Sequence, residues 1–235
     1  DPFMNSAITG ANGGLIVLVA DDPSMHSSQD EQDSRYYARF AQIPYVEPSN
    51  QQEAYDLTHF AFELSERLHT PVLMRVTTRL AHSRAGVVTR ESRPQNEINL
   101  CGNPKQFILL PANARRQYVE LIEKNVEFIK SSETSGNNKY IDGTDKSMGI
   151  IASGIAYNYL MENYPDRNCP YPVLKITQYP LPTAMIEKMA DECESILVAE
   201  EGYPLIEEQL RGILDRVKVS FSAHRLAKSL SMSKN

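Results

Sequence analysis

Apolar residues in this chain gather in short unbroken runs, and stretches with the spacing of a helix face lie between the runs. Leu15 to Ala20 is wholly apolar and rich in Val and Ile, the pattern of a strand buried on both faces. Asp1 to Thr9 before it reads as the end of a helix, with Gly10 as its cap and Asn12-Gly13-Gly14 as a turn. After the strand, Gln29 to Ala41 has helical composition and Pro44 ends it, and Tyr45 to Glu47 is a short strand. Ser49 is an N-cap with Gln52 three residues on, opening a helix from Asn50 to Leu68 with Ala54, Leu57, Ala61, Leu64 and Leu68 on one face. Pro71 to Val76 is a further buried strand, ending in Thr77-Thr78-Arg79.

From Ala85 to Asp145 the text is polar and proline-punctuated around one long helix, Ala112 to Lys130. It closes on SSETSGNNKYIDGTDKS, which reads as linker and solvated loop. Alternation then resumes. Met148 to Ala152 is a strand, Ser153-Gly154 opens a helix to Asn163, and Val173 to Ile176 is a strand. Thr183 to Glu192 is a helix, Ile196 to Ala199 a strand and Tyr203 to Leu214 a helix. The last stretch, SFSAHRLAKSLSMSKN, carries no strand pattern and reads as a frayed helix or tail. Strands alternating with helices specify α/β architecture, here two doubly wound parallel-sheet domains: residues 1–84 and 148–235, joined by a linker with a long helix over 85–147. A domain seldom opens on the last turns of a helix leading into a central strand, so the first part of the first domain is expected to lie outside this sequence.

Composition narrows the function classes. The 235 residues carry a formal charge of −6, and no Lys/Arg stripe gathers, which argues against a nucleic-acid partner. No apolar run reaches the length of a membrane span, and no signal peptide is visible. Cys101, Cys169 and Cys193 are far apart and form no CxxC, so they read as reduced cytoplasmic thiols and not as iron–sulfur ligands.

Ligands of open parallel sheets collect beyond the carboxyl ends of the strands, and Asp21 to Ser28 is such an end. It holds an imidazole, His26, and two hydroxyls, Ser27 and Ser28, with Gln32, Asp33 and Arg35 behind. A guanidinium such as that of Arg35 grips a carboxylate with two prongs. A plainer reading stands beside this one: Ser27 or Ser28 as a helix N-cap, Arg35 on a solvated face with Glu31 and Arg39, and His26 as a surface imidazole. Arg79 and His82, past the third strand, approach the same face. TGANGG precedes its strand and so is not a dinucleotide fingerprint. Gly154 sits where a phosphate-binding turn would begin, but no second glycine or lysine follows, and a close-packed strand–helix turn explains it better. Glu200-Glu201-Gly202 reads as an interface or turn.

Several blocks together resemble one family. Gly13-Gly14-Leu15-Ile-Val-Leu-Val-Ala-Asp-Asp-Pro23, Met25-His26-Ser27-Ser28-Gln29 and Glu31-Gln32-Asp33-Ser34-Arg35 resemble the α subunit of the indolepyruvate-oxidising branch of the 2-oxoacid:ferredoxin oxidoreductases. Arg75-Val76-Thr77-Thr78-Arg79, Gly149 to Gly154, Tyr179-Pro180-Leu181-Pro182 and Val198-Ala199-Glu200-Glu201 extend the likeness. The resemblance implies a thiamine-diphosphate enzyme with Mg2+ that joins an aryl 2-oxoacid to coenzyme A, releases CO2 and reduces ferredoxin, with a β subunit as partner. It implies a partial pyrimidine-binding domain followed by a transketolase C-terminal-like domain. His26 would assist proton transfer, and Ser27, Ser28, Gln32 and Arg35 would line the cavity where cofactor and substrate meet. No GDG followed by Asn occurs, nor any ferredoxin-like cysteine cluster, so cofactor binding by this chain alone is expected to be weak or absent and the chain alone inactive. The competing expectation is a free-standing α/β module that docks partners without catalysis. Coenzyme A or nucleotide binding for another enzyme is a third.

Overall fold

The computed structural model describes residues 1–98, 100–213 and 221–223, without side chains for 212, 213 and 221–223. In chain order the elements are α1 (Pro2–Thr9), β1 (Ile16–Asp21), α2 (Arg35–Ala41), β2 (Tyr45–Val46), α3 (Gln51–Leu68), β3 (Val72–Thr77), α4 (Thr78–His82), α5 (Pro111–Thr134), β4 (Lys139–Ile141), β5 (Gly149–Ser153), α6 (Gly154–Glu162), β6 (Val173–Ile176), β7 (Gln178–Tyr179), α7 (Thr183–Glu192), β8 (Ile196–Ala199), α8 (Leu205–Ile213) and β9 (Phe221–Ala223). They form two mixed sheets, in the orders β1-β3-β2-β7 and β4-β6-β5-β8-β9. The architecture is α/β, as the alternation of runs requires.

The first sheet is parallel except at one edge. β3 pairs with β1 on one side, Ile16 opposite Val72, and with β2 on the other. β7 then pairs antiparallel to β2, Tyr45 opposite Tyr179, so a strand from the second half of the chain completes the first sheet. In the second sheet β5 is central between β6 and β8, both parallel to it, and β4 runs antiparallel on the outer side of β6.

Four expectations change. β1 is an edge strand: the side chain of Leu18 is 65% exposed, and Ala20 is exposed too. Its apolar run would suit a central strand, but β3 occupies one side and no strand among the described residues takes the other. α2 begins only at Arg35, because the end of β1 holds the residues before it: the amide and hydroxyl of Ser34 donate to Asp21, and the side-chain oxygen of Gln32 accepts the Asp22 amide. The cap of α3 is Asn50, whose side chain accepts from the Glu53 amide, while the Glu53 carboxylate accepts from the Ser49 amide and hydroxyl at 2.9 and 2.8 Å. The capping box is thus one residue later than Ser49 and Gln52, because Glu53 also pairs with Lys175 of β6. Residues 139–141, expected to be solvated loop, form β4, and residues 221–223, expected to lack strand structure, pair with β8; the rest of that tail lies outside the described residues.

One hydrophobic core spans both sheets. Ala38, Tyr45 and Leu73 from the first half of the chain pack in it with Ile151, Leu174, Ile176 and Tyr179 from the second, and Leu121 and Phe128 of α5 seal it. The rings of Tyr45 and Tyr179 stack with centroids 4.2 Å apart. Among the described residues no helix is long and apolar enough to cross a membrane. Replacing fully buried Phe128 by Ala should cost about 3–5 kcal/mol, because the cavity cannot collapse between two sheets. Urea denaturation followed by fluorescence and by circular dichroism should show both halves losing stability in one transition.

Candidate functional site

Backbone carbonyls and side chains at the ends of β1, β3, β5, β6 and β8 all approach one seam, because the two sheets meet at the carboxyl ends of their parallel strands. The loop after β1 is built around two aspartates. Asp22 accepts from the amides of Ser27 and Ser28 at 2.7 and 2.9 Å and from the Thr78 hydroxyl at 2.6 Å. Those bonds, Thr78's foremost, hold its carboxyl far below the ordinary carboxylate range. The Glu31 carboxylate receives the Ser24 amide, and the side-chain oxygen of Gln32 receives the Asp22 amide at 3.3 Å. Ser24 and Met25 sit at positive φ, 69° and 53°, so the loop turns sharply without glycine. His26 and Ser27 are exposed and Ser28 is half-buried.

Behind the loop lies a buried charge network. Arg35, with no exposed surface, donates from Nε and Nη2 to both oxygens of Asp33 at 2.8 and 2.5 Å, and from Nη1 to Glu200 at 2.9 Å. Its Nη2 also reaches the carbonyls of Glu201 and Tyr203. Arg75, equally buried, donates to Asp21 at 2.6 Å, to Glu47 at 2.5 Å and to the Glu201 carbonyl at 3.2 Å. Glu47 closes the network from the far side: its second oxygen receives the Tyr179 hydroxyl at 3.1 Å and lies 3.8 Å from Arg35. Asp21, Asp33, Arg35, Glu47 and Arg75 belong to the first half of the chain, whereas Tyr179, Glu200, Glu201 and Tyr203 belong to the second.

Two glycines make the approach possible. An added Cβ at Gly154, which has φ +49°, would stand 2.7 Å from a Glu47 oxygen. One at Gly202, with φ +108°, would stand 2.7 Å from Asp33. Gly154 is therefore a packing turn against the other sheet, and Glu200-Glu201-Gly202 is an interface.

A cleft of about 1000 Å³ opens beside this seam. Val17, Val19 and Leu73 line it together with Gln32, Tyr36, Tyr37 and Tyr203. Of the five residues the sequence singles out, Gln32 faces this cleft, and His26, Ser27 and Ser28 stand on the neighbouring loop. Arg35 is the correction. Asp33, Glu200 and two carbonyls engage its fork, so it is sealed inside and cannot present two free prongs to a ligand. The two serines act through their amides, which orient Asp22. Sequence reasoning missed Asp21, Glu47 and Arg75 as site residues. A signal for Arg75 was present: a charge in the middle of an apolar strand is buried only with a partner.

Protein-family models contain no match to the chain. Among solved structures, the 2-oxoglutarate:ferredoxin oxidoreductase from Magnetococcus marinus with 2-oxoglutarate, coenzyme A and succinyl-CoA bound aligns over 95% of this chain and 48% of that one, with TM-score 0.65 and 12% identity. A split-gene transketolase, an inactive β4 tetramer, aligns over 88% and 56% with TM-score 0.50 and 11% identity. The fold is thus of the kind shared by 2-oxoacid:ferredoxin oxidoreductases and transketolases. In sequence, the chain is related to indolepyruvate oxidoreductase subunit IorA. It is 38% identical over 227 residues to that of Methanothermobacter thermautotrophicus, covering 95% of this chain and 37% of that protein. It is 42% identical over 222 residues to that of Pyrococcus horikoshii, covering 90% and 34%. The chain therefore spans about a third of the length of the curated relatives it matches.

The network sets opposite pH dependences. Burial raises Glu200 and Glu201 above the ordinary 4.5, with Arg35 pulling back on the first and Thr77 and Arg75 on the second. In that interval the folded state holds more protons than the unfolded one, so their contribution is full below 4.5 and fades as pH rises through the raised values. Asp33 is the reverse: burial opposes ionisation, but Arg35 and Arg75 overcome it and lower the group below 3.8. Its contribution exists above 3.8 and is lost as pH falls through the lowered value. The melting temperature should rise as pH falls through the raised values toward 4.5, and drop again as pH falls below 3.8 through the lowered value of Asp33. Glu200→Gln with Glu201→Gln should flatten the upper limb alone. Separately, Glu47→Ala takes from buried Arg75 one of its two carboxylates and from the buried Tyr179 hydroxyl its acceptor, and should cost about 3–5 kcal/mol in urea denaturation.

Proposed function

We propose that this chain forms part of the α subunit of a thiamine-diphosphate-dependent 2-oxoacid:ferredoxin oxidoreductase acting on an aryl 2-oxoacid such as indolepyruvate. In the complete complex the bond between the keto carbon and the carboxylate breaks, CO2 leaves and the acyl group joins the sulfur of coenzyme A. Two electrons pass to ferredoxin, and the thiol proton goes to solvent. The relation to IorA over nearly the whole chain carries the reading. The strand-end loop and its adjoining cleft support it, since they lie where an α/β sheet presents ligand contacts.

Within that assembly the chain supplies one wall. His26, exposed on a loop whose backbone Asp22 fixes, is placed to exchange a proton with substrate. Gln32 and the hydroxyls of Ser27 and Ser28 offer polar contacts beside the aromatic side chains of the cleft. Arg35 holds the loop's stem against the second sheet. The chain does not itself fit thiamine diphosphate and Mg2+: its sequence has no GDG motif, and no group of three or more His, Cys, Asp or Glu among the described residues could hold a metal ion. The cofactor and iron–sulfur centres belong to other segments, and the β subunit is the expected partner.

The assembled complex, given indolepyruvate, coenzyme A and ferredoxin, should release CO2, and His26→Ala should lower kcat/KM by about 10- to 100-fold. This chain alone should reduce no acceptor. Absence of 2-oxoacid-dependent ferredoxin reduction by the complex sinks the reading, and unaltered kinetics in both His26→Ala and Gln32→Ala confine the loop to a structural role.

A further inference from the structure

Arg35 and Arg75 are consumed by the seam, which leaves a third arginine at the same rim. Arg79 is the second residue of α4, directly beyond β3, and its side chain is 42% exposed, against none for the buried pair. Its root is fixed: the hydroxyl of neighbouring Thr78 donates to Asp22 at 2.6 Å, and Asp22 also holds the amides of Ser27 and Ser28. The second half of the chain fixes its tip. Nη1 donates to the Tyr159 hydroxyl at 2.7 Å, and the guanidinium carbon stands 5.3 Å from the centre of that ring. Nη2 has no partner among the described residues. Among the described residues one carboxylate comes within 4.0 Å of Arg79, that of Glu201, which stands at that distance from Nε and makes no hydrogen bond to the guanidinium.

A planar guanidinium, oriented by an aromatic face, anchored at both ends and still open on one edge, is suited to a compact oxyanion. We propose that Arg79 is an anion-binding residue of the site, taking either the carboxylate of the 2-oxoacid or a phosphate of coenzyme A; this rests on the functional reading above. The competing role is that of a pin joining α4 to α6 through Tyr159. A pin would need the Tyr159 bond but not the free edge.

The assembled complex separates these. Arg79→Ala should raise one KM by about 10-fold or more while kcat stays within about 3-fold, and Arg79→Lys should restore only part of the loss, since an ammonium has no fork. A rise confined to the 2-oxoacid assigns the carboxylate, and a rise confined to coenzyme A assigns the phosphate. Unchanged KM values with a lowered melting temperature make Arg79 a pin and overturn the proposal. Should the complex turn over no 2-oxoacid, the functional reading fails, and a second measurement still decides the site. In this chain, the 15N resonance of the Arg79 side chain, assigned with Arg79→Gln, is followed during titration with pyruvate and with inorganic phosphate. A saturable shift with either anion supports the site, and none up to tens of millimolar overturns it.

Discussion

Two guanidinium groups buried among carboxylates hold the halves of this chain in register. Charges removed from water are costly, and attraction between them repays the cost only where geometry is good and every remaining donor is satisfied. Arg35 and Arg75 meet that demand by different routes. Arg35 spreads its fork over Asp33, Glu200 and two carbonyls, and Arg75 bridges Asp21 and Glu47. Since the carboxylates come from both halves, neither half can satisfy the arginines without the other. The shared apolar core gives the contact its stability, and the charges give it a single permitted alignment.

That alignment has a consequence for chemistry. In a lone doubly wound sheet the carboxyl ends of the strands open to a ligand. Here much of that crevice is filled by the opposite sheet: Glu47 presses on Gly154, and Asp33 on Gly202. The open surface beside the strand ends is displaced sideways, to the loop after β1 and the cleft along the exposed strand. The loop stays ordered there because its anchor, Asp22, is ionised and saturated with three donors. A mobile loop could not present an imidazole to a fixed reacting atom.

Most elements were legible in the sequence, and the exceptions share a cause. β5, β6, β8 and the long helix α5 announce themselves through local period, which depends only on neighbours in the chain. β4 and β7 do not, since three or two residues carry no period and exist only because partners far along the chain receive them. The delayed start of α2 has the same origin: composition favours helix from Gln29, but Asp21, thirteen residues back in the chain, takes the Ser34 amide that a helix would use. The strand-end loop itself was legible as a loop following β1. The duties of its members were not, because Arg35 looks identical on paper whether its carboxylate partners come from the chain or from a ligand. Burial decides between those, and burial is a property of the whole fold.

β1 shows the limit from the other direction. Its first five residues are as apolar as those of a central strand, yet it lies at an edge with Leu18 in the open and with Val17 and Val19 lining a cleft. Edge strands that must remain alone usually carry charge, proline or a bulge to discourage pairing. This one carries none before Asp21, and a parallel sheet normally has both faces covered. The mismatch between a core composition and an exposed setting falls beside the loop that follows β1. A surface that is apolar next to a fixed, polar strand end can both bind protein and exclude water from what lies between.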